Sequence, residues 1–505
     1  MRIKGFLLLF LFLFQFSANG QVTFQKALGI AYDFAEWGYS VKQTTDGGFI
    51  VLSLSNEAGI SCQLTKVDNI GDTLWMRKYG GPSVDFAQSV EQTFDQGYIV
   101  CGITQSFGSG YHDIYLFKVD NVGALLWSKA FGGTFGEDGI SVKQTADSGY
   151  VLTGHTMDTS MAGEIVLIKT NPTGNIIWQK RYGGIDQDFA YDLQLTNDGG
   201  YVIAGSTQSW GSGMINTYIL RTDSNGDTLW TKVYSIPGWG MSATSILENE
   251  DSSFIVLNHA HDSIVLMKLM PDGDTIWTKG FTNTGNFIYG NILETLDNGY
   301  IFSGTDQLPF LIKTNSYGDT LWTREYGIIN GAGYAVDCTS DSGFIITGEA
   351  VLGSMSYGIY LIKTDKHGNS GCYENFKSLQ IFQMPIEIEF TGTIASNPNF
   401  AELSPPSQVS SRAFPITTYC SSVNIKEAGL LNSFVIFPNP ASSYFKIDNA
   451  MGYEVALLNT MGVLIWKSKL RSNDETFNCE NLPSGIYFIQ IQTESGSFTQ
   501  KLIKQ

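Results

Sequence analysis

Four acids recur at one position of a repeating pattern. Counting back five residues from Val41, Val90, Val142 and Leu193 reaches Glu36, Asp85, Glu137 and Asp188, whereas the same count in three later segments gives Met241, Phe287 and Gly331. Carboxylates set in such an arc suit three kinds of chemistry: holding a hard cation, hydrogen-bonding a sugar, or serving as an acid and base pair in glycoside cleavage. The competing expectation is that each acid caps its own loop through backbone amides. Two loops add aromatic character, Phe107-Gly-Ser-Gly-Tyr111-His112-Asp113 and Trp210-Gly-Ser-Gly213-Met214. Tyr111, His112 and Trp210 beside glycine have the composition of a stacking platform for a sugar or an aromatic ligand, or of an aromatic that folds onto its neighbour.

Other constellations carry less. His259, His261 and Asp262 resemble a metal trio, but no further His lies nearby in sequence and a solvated strand end accounts for them. Asp223-Ser-Asn225-Gly-Asp227 opens like a calcium loop yet lacks the Glu at its twelfth position, which leaves a hairpin turn. There is no Gly-x-Ser-x-Gly elbow, no His-Glu-x-x-His, no phosphate-binding Gly-Lys-Ser/Thr loop and no Cys-x-x-Cys, so nothing implies a cofactor or argues positively for an enzyme.

The elements that must position these residues are announced by repeats. Asp-x-Gly followed by an aromatic occurs at Asp46, Asp95, Asp147, Asp198, Asp297 and Asp341, with a degraded copy at Asp251. A second turn, with Gly three residues after Asp or Asn (after Met270 in the fifth copy), precedes Trp75, Trp127, Trp178, Trp230, Trp277 and Trp322 at intervals of 45 to 52 residues. The runs between are short and rich in β-branched and aromatic residues, which predicts four strands per repeat. Such repetition is the signature of a β-propeller, with each Trp wedged between blades. The seventh repeat breaks off at Cys372 without its Trp strand, while Val22 to Gly29 forms an orphan strand with Phe24 in the Trp register. The expected fold is therefore all-β: a seven-bladed propeller over residues 21–371, closed by its N-terminal strand.

Residues 1–20 read as a secretory signal peptide, with Arg2 and Lys4 before an apolar run from Phe6 to Phe14. No stretch is long enough for a transmembrane segment. Loss of the leader would take the net charge from −18 to −20, which disfavours nucleic acid as a partner. Residues 372–424, richer in Pro, Ser and Asn, read as a linker with one strand at Ile386 to Phe390. Cys372 and Cys420 bracket it and are the expected disulfide in an oxidising compartment, while Cys62, Cys101, Cys338 and Cys479 read as buried thiols.

Residues 425–505 form a small all-β segment, expected as a β-sandwich. Its Pro438-Asn439-Pro440 box, the Leu458-Asn-Thr-Met-Gly462 hairpin, the Leu482-Pro-Ser-Gly485 turn and the terminal Lys501-Leu-Ile-Lys504 resemble the type A sorting domain of the type IX secretion system of Bacteroidetes. The resemblance implies recognition by the secretion machinery and release to the medium or the outer cell surface. The Trp repeats resemble, more distantly, the tryptophan-docking repeats of quinoprotein dehydrogenases, but the vicinal Cys pair of those enzymes has no counterpart here. Together these features predict a secreted or surface propeller that binds a glycan or a protein without catalysis. A polysaccharide-active enzyme, glycosidase or lyase, and a structural adhesion component are the alternatives.

Overall fold

The computed structural model describes residues 21–29, 36–56, 59–157, 163–282, 290–327, 331–353, 356–377, 379–390, 401–403, 408–411, 416–424, 435–437, 441–448, 452–459, 464–471, 476–483, 485–493 and 496–504. The chain divides into two compact units, Val22–Val423 and Asn424–Gln505. The signal-peptide reading lies outside the described residues, among which no helix is long and apolar enough to cross a membrane.

The larger unit is all-β, with propeller-like repeats folded into small antiparallel sheets. Repeat four shows the plan: Asp188–Leu195, Tyr201–Thr207, Asn216–Thr222 and Thr228–Ser235 pair in sequence order. Its two middle strands are buried along their whole length, as expected of runs covered on both faces.

Within each repeat, the Asp-x-Gly turn and the third strand hold each other. Asp147 Oδ1 accepts the Gly149 amide at 3.0 Å, and its other oxygen meets Lys169 Nζ at 2.8 Å. The equivalent pairs are Lys66–Asp46, Lys118–Asp95, Arg221–Asp198, Lys313–Asp297 and Lys363–Asp341. Each of these cations is more than nine-tenths buried, so the carboxylate is what makes its burial tolerable. Burial works against ionisation of Asp147, but bonds from Lys169, Thr145 and Gly149 outweigh it and hold the pKa at about 2.

Between repeats, the fourth-strand aromatic sits on a glycine of the following turn. A Cβ on Gly123, whose φ is +77°, would stand 2.9 Å from Trp75. Trp127, Trp178, Trp230, Trp277 and Trp322 meet Gly174, Gly226, Gly273, Gly318 and Gly368 in the same way. Beside several of them a tyrosine hydroxyl donates to the same glycine's carbonyl, as Tyr79 does to Gly123 at 2.7 Å and Tyr234 to Gly273 at 2.6 Å. Only glycine combines that positive φ with so close an approach.

The N-terminal strand Gln21–Leu28 pairs antiparallel with Ser356–Thr364 of repeat seven, matching Phe24 to Lys363 and Leu28 to Ile359. Phe24 lies on Gly71 of repeat one, where a Cβ would be 2.7 Å from its ring, and Lys26 Nζ reaches Asp72 at 2.6 Å. At the other end of these two sheets, the Gln43 side chain accepts the Ser340 amide at 2.7 Å.

The segment expected as a linker behaves otherwise. Glu374–Asn375, Gln380–Phe382 and Glu387–Phe390 add a fifth strand to the sheets of repeats six, five and four. Ala401–Leu403 and Gln408–Ser411 do the same for repeats two and one, and Ile416–Asn424 borders the N-terminal strand. It runs backwards through the repeats, covering open edges with backbone hydrogen bonds. Thr278 and Thr323 fasten it by donating to the carbonyls of Met384 and Lys377, and Lys377 pairs with Asp306 and Glu325. Cys372, where it begins, is disulfide-bonded, and Cys62, Cys101, Cys338 and Cys479 are free, Cys338 being only partly buried.

The C-terminal unit has a three-stranded sheet (Val435–Phe437, Tyr444–Asp448, Thr476–Asn478) and a four-stranded one (Leu464–Lys469, Glu454–Leu458, Gly485–Thr493, Gly496–Lys504). Phe445, Val455, Leu457, Ile489 and Leu502 share their core. Pro438, Asn439, Pro440 and Gly462 lie outside the described residues. Gly485 pairs with Lys504, which is buried, and Lys501 pairs with Phe488 in the last strand.

Phe24→Ala should cost about 3–5 kcal/mol, the range for emptying a fully buried aromatic site. Urea unfolding measures this, and a loss below about 1 kcal/mol would mean that the N-terminal strand contributes little to the fold.

Candidate functional site

The four acids of the arc all stand at the start of a first strand, Glu36–Gln43, Asp85–Gln92, Glu137–Gln144 or Asp188–Leu195. They do not face an open mouth: Glu36, Asp85, Glu137 and Asp188 are no more than 2% exposed. Three of them accept the amide four residues back, Gly81 to Asp85 at 2.7 Å, Gly133 to Glu137 at 3.1 Å and Gly184 to Asp188 at 2.7 Å. The hydroxyls of Thr104 and Ser106 also donate to Asp85, that of Ser209 to Asp188 and that of Ser55 to Glu36. Asp85, Glu137 and Asp188 thus close the crossing from one sheet to the next, as the capping expectation has it. Of the remaining register positions, Met241 is buried, Gly331 lies in a strand and Phe287 falls outside the described residues.

Glu137 differs from the others in its surroundings. Burial raises its pKa to about 7; the Gly133 amide opposes the shift and the charge of Asp113 adds to it. A Cβ on Gly132 would meet both Asp113 Oδ1 and Glu137 Oε2, so that glycine leaves room for the two carboxylates to converge.

The aromatic loops divide. Trp210 folds onto its own repeat, its ring 5.5 Å from that of Tyr218, and is partly buried. Tyr111 is 77% exposed and meets His112 edge-on at 5.3 Å. His112 Nε2 lies 2.7 Å from Asp138 Oδ1, and His155 Nε2 lies 3.3 Å from the other oxygen. Of this His–Asp–His group the sequence singles out His112 alone, and the fold brings Asp138 and His155 to it. Among the described residues no group of His, Cys, Asp and Glu is arranged to hold a metal ion. His261 pairs with its neighbour Asp262 on an exposed strand end, and Asp223 Oδ1 accepts the amides of Asn225 and Asp227 as a hairpin turn does.

A cavity of about 410 Å³ is the more open feature. It is lined by residues of the repeats' first strands, including Tyr39, Gln88, Tyr191, Thr244 and Tyr334. Its charges are matched within the wall: Lys143 pairs with Glu91, and Lys42 Nζ lies 3.8 Å from Asp337. Asp192 accepts the Ser245 hydroxyl at 2.8 Å and the Ile246 amide at 3.0 Å.

Residues 435–505 match the family of secretion system C-terminal sorting domains. The chain carries a type IX secretion sorting domain. Export to the cell surface or the medium follows from it. The regulatory protein FlaEY of Caulobacter vibrioides is 24% identical over 175 residues, which is 30% of this chain and 17% of FlaEY. PorZ of Porphyromonas gingivalis, a surface component of the type IX system, is similar in structure at 11% identity and a TM-score of 0.41, over 93% of this chain and 59% of PorZ. A protein of unknown function from Dyadobacter fermentans matches at 10% identity and a TM-score of 0.40, over 68% of this chain and 98% of its own. The sorting-domain chain thus spans less than two thirds of both FlaEY and PorZ.

Because the folded pKa of Glu137 lies above its ordinary value of 4.5, its favourable contribution is complete below that pH and fades as pH rises through about 7. Glu137→Gln should raise the melting temperature at pH 8 and change it little at pH 4. An equal shift at both pH values would contradict the assignment.

Proposed function

We propose that the exported part is a non-catalytic seven-bladed β-propeller, closed by its N-terminal strand, that presents a ligand-binding channel at the cell surface or in the medium. The observation that carries this reading is the placing of Phe24 on Gly71. It repeats, between repeats seven and one, the contact that Trp75, Trp127, Trp178, Trp230, Trp277 and Trp322 make between successive repeats. Lys26–Asp72 and Gln43–Ser340 support the same join.

In this reading residues 1–20 are the leader, 21–371 the ring and 425–505 the tail read by the secretion machinery. Residues 372–424 are an outer belt rather than a free linker, and Cys420 is the partner of Cys372. The ligand is a glycan or a protein. Burial of Glu36, Asp85, Glu137 and Asp188 argues against the polysaccharide-active enzyme, which needs a solvent-reachable acid and base.

A glycan array on the purified protein, followed by an assay for reducing ends, tests the reading. Binding without release is expected; release would make the protein an enzyme, and neither would leave a structural surface component. Asp85→Asn should lower the melting temperature and leave binding intact, because that side chain accepts the Gly81 amide and the hydroxyls of Thr104 and Ser106. Removal of residues 435–505 should retain the protein in the periplasm of a type IX-competent host, read by surface labelling.

A further inference from the structure

Six of the seven first strands carry one residue too many for their partner. The register with the second strand slips between Gly38 and Ser40, Ala87 and Ser89, Gly139 and Ser141, Ala190 and Asp192, Ala243 and Ser245, and Gly333 and Ala335. The residues skipped by the register are Tyr39, Gln88, Ile140, Tyr191, Thr244 and Tyr334, and every one of them lines the 410 Å³ cavity. A bulge re-aims a side chain that regular pairing would send elsewhere. Repeated at one position, it delivers a ring of side chains to one level of the cavity.

The composition of that ring is not what packing alone asks for. Tyr39 and Tyr334 stack with ring centres 5.7 Å apart and planes 18° from parallel. Tyr191 stands three repeats from each of them and is 39% exposed. Gln88 and Thr244, on the intervening repeats, are partly exposed and bring a carboxamide and a hydroxyl. The wall charges are spent on one another or on the backbone, so the cavity offers aromatic faces and neutral hydrogen-bonding groups and no unmatched charge.

We propose that the bulge residues form a binding site for a neutral pyranose, with Tyr191 on one side and the Tyr39–Tyr334 pair on the other. A pyranose presents C–H groups on its faces, which suit the electron-rich face of a tyrosine, and hydroxyls on its rim, which suit Gln88 and Thr244. The volume lies in the range of about 300–1,000 Å³ usual for small-ligand sites. This proposal rests on the ligand-binding reading above and moves the site from the buried acids to the bulges.

Saturation-transfer NMR on the full chain, with the methyl glycosides of glucose, galactose, mannose and N-acetylglucosamine, tests it. At least one glycoside should receive saturation at its ring C–H protons. Tyr191→Ala should weaken that glycoside about tenfold or more while moving the melting temperature by less than about 2 °C. Tyr39→Phe, which keeps the ring, should bind as the parent does. No transfer to any of the four would overturn the proposal. So would binding that survives Tyr191→Ala, although array binding that persists in this variant would leave the ligand-binding function standing with its site elsewhere.

Discussion

A repeated sheet with an exposed edge at each end of its chain has to dispose of those edges, and here that is done by an aromatic ring lying on a bare backbone. The contact needs both partners: a flat side chain on the fourth strand, and a glycine that turns with positive φ so that no Cβ keeps the ring away. Phe24 on Gly71 is the instance on which the proposed ring depends, since it joins the start of the chain to its seventh repeat and that sheet to repeat one. The tyrosine hydroxyls and the lysine–aspartate pairs beside these contacts would be unmade if the glycine turns moved.

The outer belt answers the second edge problem. Fourth strands such as Thr228–Ser235 present unpaired backbone groups along one side, and in a protein that works outside the cell they would invite pairing with other chains. Short pieces of residues 374–424 cover part of that side in repeats six, five, four, two and one. The carboxylates at the heads of the first strands serve the crossings, where Asp85, Glu137 and Asp188 accept the amides of Gly81, Gly133 and Gly184. Structural demands therefore account for Asp85, Glu137 and Asp188, the acids that looked most chemical.

Much of the architecture was legible because repetition multiplies a weak signal. One Asp-x-Gly or one Trp says little, whereas Trp75 to Trp322 at near-constant spacing, with Phe24 in the same register, specifies both the strand plan and the place of the N-terminal strand. The belt was not legible, because a two- or three-residue edge strand such as Glu374–Asn375 or Gln380–Phe382 needs no hydrophobic alternation and pairs through its backbone. Sequence alone left the ligand-facing and capping readings of the acids side by side, because two of the groups that bond Asp85, Thr104 and Ser106, lie about twenty residues on, beyond any local pattern. Tyr39, Tyr191 and Tyr334 escaped notice for a different reason: aligning repeats on Val41 assumes a regular strand, and a bulge two residues earlier reverses which side chains face the cavity.

Native-state hydrogen exchange over the N-terminal strand measures the closure most directly. If the first strand locks the ring, the amides of Phe24 to Leu28 exchange only through global unfolding, at the same free energy as those of Ser356–Thr364. Exchange of the N-terminal strand by local fraying, several kcal/mol below that of repeat seven, would contradict the account.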